Sequence, residues 1–210
     1  MNSETSTRRE REKEAHRQQI MDAAEEIFGA RGYADVTIED IAAKADFSVG
    51  SIYNFFGGKQ DLFDQVMERI AQSRIDDLEQ QVLPLADRPW GALRLLCKLW
   101  VEHHEKHRVF LHVAFGSKVS GGSEKLKRDQ NDVGHRLGEE YMKQALKFFS
   151  KIVASGEIRP EFSAEECVHI FEGTGRSLLF HSSHGKGSVL KVHSYVDDAL
   201  FSLIEKILRK

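Results

Sequence analysis

The sequence predicts an all-α protein, and three features carry that prediction. Apolar residues recur at spacings of three and four almost throughout the 210 residues, alternation over the length of a strand is nearly absent, and only 3 prolines interrupt the chain. The elements follow from their caps. A first helix is expected from about Arg9 to Ala30, with Ile20, Ala24, Ile27 and Phe28 on one stripe and Arg17, Glu25 and Glu26 outward; Gly32 ends it as a left-handed cap. Thr37 opens a short helix over 38–45, its hydroxyl able to accept from the amide of Asp40 while Asp40 favours the positive helix end. Asp46 and Phe47 make a turn, Ser48 is the next N-cap, and Val49 to Phe56 forms another short helix that stops at Gly57-Gly58. A longer helix runs from about Lys59 to Val82. Pro84 and Pro89 then disfavour continuation and mark the boundary between domains. Five further helices are expected, over roughly 90–105, 107–116, 124–154, 163–183 and 189–208. They are separated by Gly121-Gly122-Ser123, by Gly156 with Pro160, by the capping box that starts at Ser163, and by Gly185-Lys186-Gly187. The expected domains are therefore 1–60, joined by a connecting helix over about 59–82 to 84–210.

Composition removes several classes of function. Hydrophobic residues make up 40% and charged residues 30%, a balance unlike disordered or collagen-like chains. No run approaches the roughly 18 apolar residues of a membrane helix, and the N-terminus is too polar for a secretory signal, so a cytoplasmic protein without a membrane partner is expected. Cys97 and Cys167 lie in no CxxC pair or zinc-ribbon spacing and read as two reduced, buried thiols. Net charge is -3, and residues 1–60 carry eight basic side chains against eleven acidic ones. Nucleic-acid binding would have to come from local placement of positive and dipolar groups, because the bulk field does not supply it.

Residues 38–57 have the internal spacing of a helix-turn-helix. Ala42 is small enough for two short helices to cross closely, Asp46 tolerates the positive φ of the turn, and Ile52 falls back over Ala42. A plain helical hairpin in a bundle satisfies the same spacing. Thr37-Ile38-Glu39-Asp40-Ile41-Ala42, then Phe47-Ser48-Val49-Gly50-Ser51-Ile52-Tyr53-Asn54-Phe55-Phe56, then Lys59-Gln60-Asp61-Leu62 resemble the TetR family of bacterial transcriptional regulators, closely over residues 15–65. Asp46, Phe55 and Gln60 depart from the family's commoner residues. On the helix that Ser48 leads, Ile52, Phe55 and Phe56 point to a small core, leaving Val49, Gly50, Tyr53 and Asn54 outward, a face small enough to enter a major groove. Asn54 can pair with an adenine edge, Val49 or the Ser51 methylene can touch a thymine methyl, and Gly50 permits close approach. The resemblance implies that Thr37, Tyr53 and Lys59 hold phosphates, in keeping with helix N-termini that favour anions, and Lys44 is a further candidate. Arg8, Arg9, Arg11 and Lys13 could follow the DNA backbone, enter a minor groove, or simply form a solvated helix start among Glu10, Glu12 and Glu14.

One recognition helix reads few base pairs, so a homodimer on pseudo-palindromic double-stranded DNA is expected. The last two helices offer surplus apolar surface through Ile170, Leu178, Leu179, Val192, Val196, Leu200, Leu203, Ile204 and Ile207, and the resemblance implies that they pair with their mates. It also implies a pocket for a small-molecule inducer in the middle helices. Candidate lining residues are Trp100, His104, Phe110, Phe115, Tyr141, Phe149, Phe171, Arg176 and Phe180, each of which could equally be plain core. His103 and His107 stand at i, i+4 and Cys97 lies two turns from His104, which allows a metal- or redox-responsive variant of the same fold, but no complete metal site is expected. No nucleophile with a base, paired carboxylates or phosphate loop occurs at a credible spacing, so neither an enzyme nor a cofactor is expected. The expected function is a ligand-released repressor, with a helical protein-interaction module as the rival reading.

Overall fold

Residues 2–111, 133–184 and 193–210 are described by the computed structural model. Among them the chain forms helices α1 (Asn2–Arg31), α2 (Ile38–Ala45), α3 (Val49–Phe55), α4 (Lys59–Asp77), α5 (Pro89–Lys106), α6 (Val133–Ala154), α7 (Ala164–His184) and α8 (His193–Leu208). No strand occurs among the described residues, only an isolated bridge between Ile158 and Arg209. Both central caps form as the side-chain chemistry requires. Asp46 closes α2 in the left-handed region (φ 60°, ψ 44°), and Ser163 and Glu166 make reciprocal cap bonds at the start of α7.

Two expected boundaries shift. The first helix begins at Asn2 rather than near Arg9, because nothing between the two positions breaks a helix. α4 ends at Asp77, after which a π-turn over Leu78–Val82 and a 3-10 turn over Leu83–Leu85 carry the chain to Pro89. Pro84 has no amide to donate and crowds the residue before it, so the regular ladder stops upstream. Of the expected helix 107–116, residues 108–111 are helical and the rest lies outside the described residues, as does the loop at 121–123.

The chain divides into two compact units, but not at Pro84 and Pro89. The first unit comprises the residues up to Ile70 together with residues 107–111; the second comprises Ala71–Lys106 and the described residues from 135 onward. The reason lies in where apolar side chains go. Ile20, Ala24 and Phe28 of α1, Ile41 and Ala42 of α2, Ile52 of α3, and Leu62, Phe63, Val66 and Ile70 of α4 share one core, which Phe110 joins. Ile75, Leu78 and Val82 belong to the other, with Leu93, Leu96 and Trp100 of α5, Phe148 and Phe149 of α6, Phe171 of α7 and Leu200 and Ile204 of α8. Within the second unit α5 packs most extensively against α8, which also packs on α7.

Candidate nucleic-acid interface

Local chemistry fixes α2 and α3 before any tertiary contact is made. At the start of α2, the Asp40 amide donates to Thr37 Oγ1 (3.1 Å) while Asp40 Oδ2 accepts from the Thr37 amide (2.9 Å). The Thr37 amide, Arg31 at 3.0 Å and the Thr37 hydroxyl at 2.9 Å all donate to the Asp40 carboxyl and hold it down at about 2. The Phe47 amide donates to Ala42 O (2.9 Å), which folds the chain back after Asp46. Ser48 Oγ then accepts from the Ser51 amide (3.0 Å) and starts α3. Ala42 and fully buried Ile52 both lie in the core of this unit.

α1 locks this motif from behind. Gln19 Nε2 donates to Ala45 O (3.0 Å), His16 sits edge-on against Phe47 (5.3 Å), and Arg17 donates to Phe55 O (3.4 Å) while lying over the Phe56 ring. None of these four contacts is local in sequence, and sequence reasoning missed them all. The expected DNA-binding residues separate accordingly. Gly50, Tyr53 and Asn54 are exposed, Tyr53 at 55%, and form the outward face of α3. Val49 is half-buried and packs against the core beside Phe55, so it offers an edge rather than a free side chain. Ser51 is half-buried, and its hydroxyl shares a hydrogen bond with Ser48 (2.8 Å). Thr37 lies exposed at its cap, and Lys44 is ion-paired with Glu26 (2.6 Å). Lys59 Nζ donates to Tyr33 O (3.0 Å) and Val36 O (2.9 Å) and stands 4.4 Å from the Tyr33 ring centre. Its ammonium thus ties the 33–36 loop to α4 and has one donor left for a phosphate.

In the second unit six of the nine expected lining residues, Trp100, His104, Tyr141, Phe149, Phe171 and Arg176, lie in or next to a cluster around a side chain that sequence reasoning did not single out. Glu172, 5% exposed, accepts on Oε1 from Arg74 (2.9 Å), Trp100 Nε1 (3.0 Å) and the Tyr141 hydroxyl (2.7 Å), and on Oε2 from Arg176 (3.3 Å). Burial opposes its ionisation, but Arg74 and the Tyr141 bond prevail and keep it below the ordinary carboxylate range. The Arg74 guanidinium also lies 3.8 Å from the Tyr141 ring centre. His104 stacks on Trp100 (3.8 Å) and donates from Nδ1 to Trp100 O (2.8 Å); Trp100 meets Phe171 edge-on, and Phe149 meets Phe171. A signal for Glu172 was present: it shares the stripe of Val168, Phe171, Gly175 and Leu179, where an acidic residue must find partners. The adjoining cavity, bounded by Arg74, Asp77, Leu96, Trp100, His103 and Tyr141, measures about 20 Å³, room for about one water molecule. Phe110 is not part of this cluster: it lies in the first unit's core, 5.1 Å from Phe63, because the turn at residues 108–111 packs on Gly29 of α1. Phe115 and the side chain of Phe180 lie outside the described residues.

Burial raises both thiols, Cys97 strongly and Cys167 to about 11, which leaves neither a reactive thiolate at neutral pH. Among the described residues no group of three or more His, Cys, Asp or Glu side chains could hold a metal ion, and no helix is long and apolar enough to cross a membrane.

Comparison with known proteins agrees with the geometry of the first unit. The family model described as "Bacterial regulatory proteins, tetR family" matches residues 20–66, which run from the α1 core through α2 and α3 into α4. The uncharacterized HTH-type transcriptional regulator TtgW of Pseudomonas putida is 37% identical over 99 residues, covering 46% of this chain and 70% of TtgW. The HTH-type transcriptional repressor NicS, from another strain of the same species, is 27% identical over 169 residues, 80% of this chain and 76% of NicS. A crystal structure of a TerR/AcrR-family transcriptional regulator from Aquifex aeolicus superposes with a TM-score of 0.68 at 18% identity, over 91% of this chain and 98% of that one. A helix-turn-helix with an outward α3, a helical second unit and these likenesses together place the chain in the TetR family, as a DNA-binding transcriptional regulator and not an enzyme.

Proposed function

We propose that the chain is a homodimeric repressor that leaves its operator when a small apolar or amphipathic molecule enters the second unit. The observation that carries the DNA part is the exposed Gly50, Tyr53 and Asn54 face of α3, a short helix whose outward side chains are compact enough for a major groove. Asn54 reads a base edge, Gly50 lets the backbone come close, and Tyr53 and the remaining donor of Lys59 hold phosphates, with Thr37, Lys44, Ser48, Val49 and Ser51 shaping the same face. Two copies are needed for a pseudo-palindrome, and partly exposed Leu203, Ile207 and Leu178 on α7 and α8 supply apolar surface for pairing. A regulator of this kind works in the cytoplasm, beside the chromosome.

The ligand part rests on the Glu172 cluster, an apolar wall of Trp100, Tyr141, Phe149 and Phe171 with a few charged anchors, the usual make-up of a small-molecule site. Sites of that kind hold roughly 300 Å³ or more. The ligand therefore selects a more open arrangement of these side chains, and its preference for that arrangement is what couples binding to release of DNA. Repression as the sign of control is supported by NicS, which is named a repressor. Fluorescence anisotropy with a labelled random-sequence duplex tests the DNA part. Wild-type protein binds more weakly as salt rises, and Tyr53→Ala loses about 1 kcal/mol on every duplex, roughly five-fold in Kd. Equal binding by wild type and variant would remove α3 from the interface.

A further inference from the structure

We propose that the N-terminal part of α1 is a second DNA-contacting element, in which Arg9 and Lys13, flanked by Arg8 and Arg11, hold backbone phosphates beside the groove that α3 enters. The proposal rests on the DNA-binding reading of α3 and adds a surface to it. Residues 8–15 are helical and all exposed. Their position is nonetheless defined within the first unit, since the next residues clamp the helix-turn-helix: His16 against Phe47, Gln19 on Ala45 O, Arg17 on Phe55 O.

Helical periodicity then aims the cations. Arg9, Lys13, His16 and Ile20 are spaced four, three and four residues apart and so lie on one stripe. At its downstream end that stripe is fully buried Ile20, then His16 touching the residue before the α3 N-cap. Upstream it carries Lys13 and Arg9, the latter about 10 Å further along the axis than His16. The basic side chains therefore continue the very side of α1 that faces the reading head. Glu10 and Glu14 fall on the neighbouring stripe with Arg17, and Gln18 bonds back to Glu14 (2.7 Å).

Charge points to the same occupant. Residues 17–70 contain ten acidic and only five basic side chains. Each of those five is already engaged: Arg17 with Phe55 O and Gln65, Arg31 with Asp40, Lys44 with Glu26, Lys59 with two carbonyls, and Arg69 with Asp22 and Glu25. A net-negative body whose cations are already engaged, with only the remaining donor of Lys59 to spare, gains less from phosphates than a stripe of cations without ion-pair partners, and sequence-independent affinity for duplex comes mainly from such contacts. Arg9 and Lys13 have no ion-pair partner among the described residues, and Arg8 makes only an exposed pair with Glu12, worth little in water.

The test is a salt titration of full-length protein on a labelled random-sequence duplex, from about 50 to about 200 mM potassium chloride, read by anisotropy. Arg9→Ala/Lys13→Ala is expected to flatten the slope of log K against log salt by about 0.9 for each phosphate contact removed, and to weaken low-salt binding on the order of ten-fold. Alanine keeps the helix, and both positions are exposed, so folding is not at stake. Arg9→Lys/Lys13→Arg is expected to keep the wild-type slope. A double-alanine variant that binds with the wild-type slope overturns this proposal and leaves α3 untouched, whereas wild-type protein that does not bind duplex at all overturns the α3 reading itself.

Discussion

Glu172 shows how much one misplaced-looking side chain organises. Three donors converge on its Oε1, and two of them, Trp100 and Tyr141, are aromatic residues whose polar atoms would otherwise be buried without partners. The same packing dictates the state of His104. Its Nδ1 must donate to the Trp100 carbonyl, and burial, reinforced by the Arg74 charge, pushes its pKa down to about 3. The unfolded imidazole takes up a proton near 6.5 and the folded one does not, so acid favours the unfolded chain. Stability contributed by neutral His104 is present above about pH 6.5 and declines steadily as the pH falls toward 3. Denaturant melts are expected to lose about 2 kcal/mol more between about pH 7 and pH 5 in wild type than in His104→Phe, which keeps the stack on Trp100 and removes the titration. Equal loss in both proteins would mean that His104 is protonated as easily folded as unfolded. At this scale the caps were legible in the sequence, because Thr37, Asp46, Ser48 and Ser163 act on neighbours within four positions. The partners of Lys59, of Arg17 and, apart from Arg176, of Glu172 were not, since they lie 23 to 98 residues away and depend on how helices cross.

At the scale of elements, period and capping marked nearly every helix, and the misjudgements came where packing overrides local signal. The prolines at 84 and 89 do end regular helix, yet the core changes earlier, between Ile70 and Ile75 inside α4. Phe110 looked like one more aromatic of the middle helices, and only the close approach of residues 109 and 110 to Gly29 assigns it to the first core. Glycines inside helices need a reason of the same kind. A β-carbon on Gly175 of α7 would stand 2.6 Å from Trp100 Cη2, and that indole is pinned by Glu172, His104 and Phe171. Gly138 of α6 has nothing within 4 Å of the same position. Alanine therefore has opposite effects at the two sites. Gly138→Ala is expected to raise thermal stability by up to about 1 kcal/mol through helix propensity alone. Gly175→Ala is expected to lower it by about 1 kcal/mol, because overpacking outweighs the same propensity gain. Calorimetric melts of the two variants check the signs, and a stabilising Gly175→Ala would show that α7 does not hold Trp100 as closely as described.

At the scale of the whole molecule, α3 carries no charged side chain and exposes Gly50, Tyr53 and Asn54, and the second unit holds buried charges with few alternatives to their present partners. Opening the Glu172 cluster would strand Arg74, so on the proposed function the ligand that enters has to replace the interactions Arg74 loses. α3 carries no arginine or lysine, so the proposed function assigns base discrimination to Asn54 and to close fit at Gly50. Selection from a randomised duplex pool, run in parallel with wild type and Asn54→Ala, reads that claim directly. Wild type should enrich two inverted half-sites about 10 base pairs apart, each with an A·T pair whose preference, worth about 1–3 kcal/mol, disappears in the variant. Recovery of the same enriched sequence by both proteins, or of no repeated half-site by wild type, would contradict it.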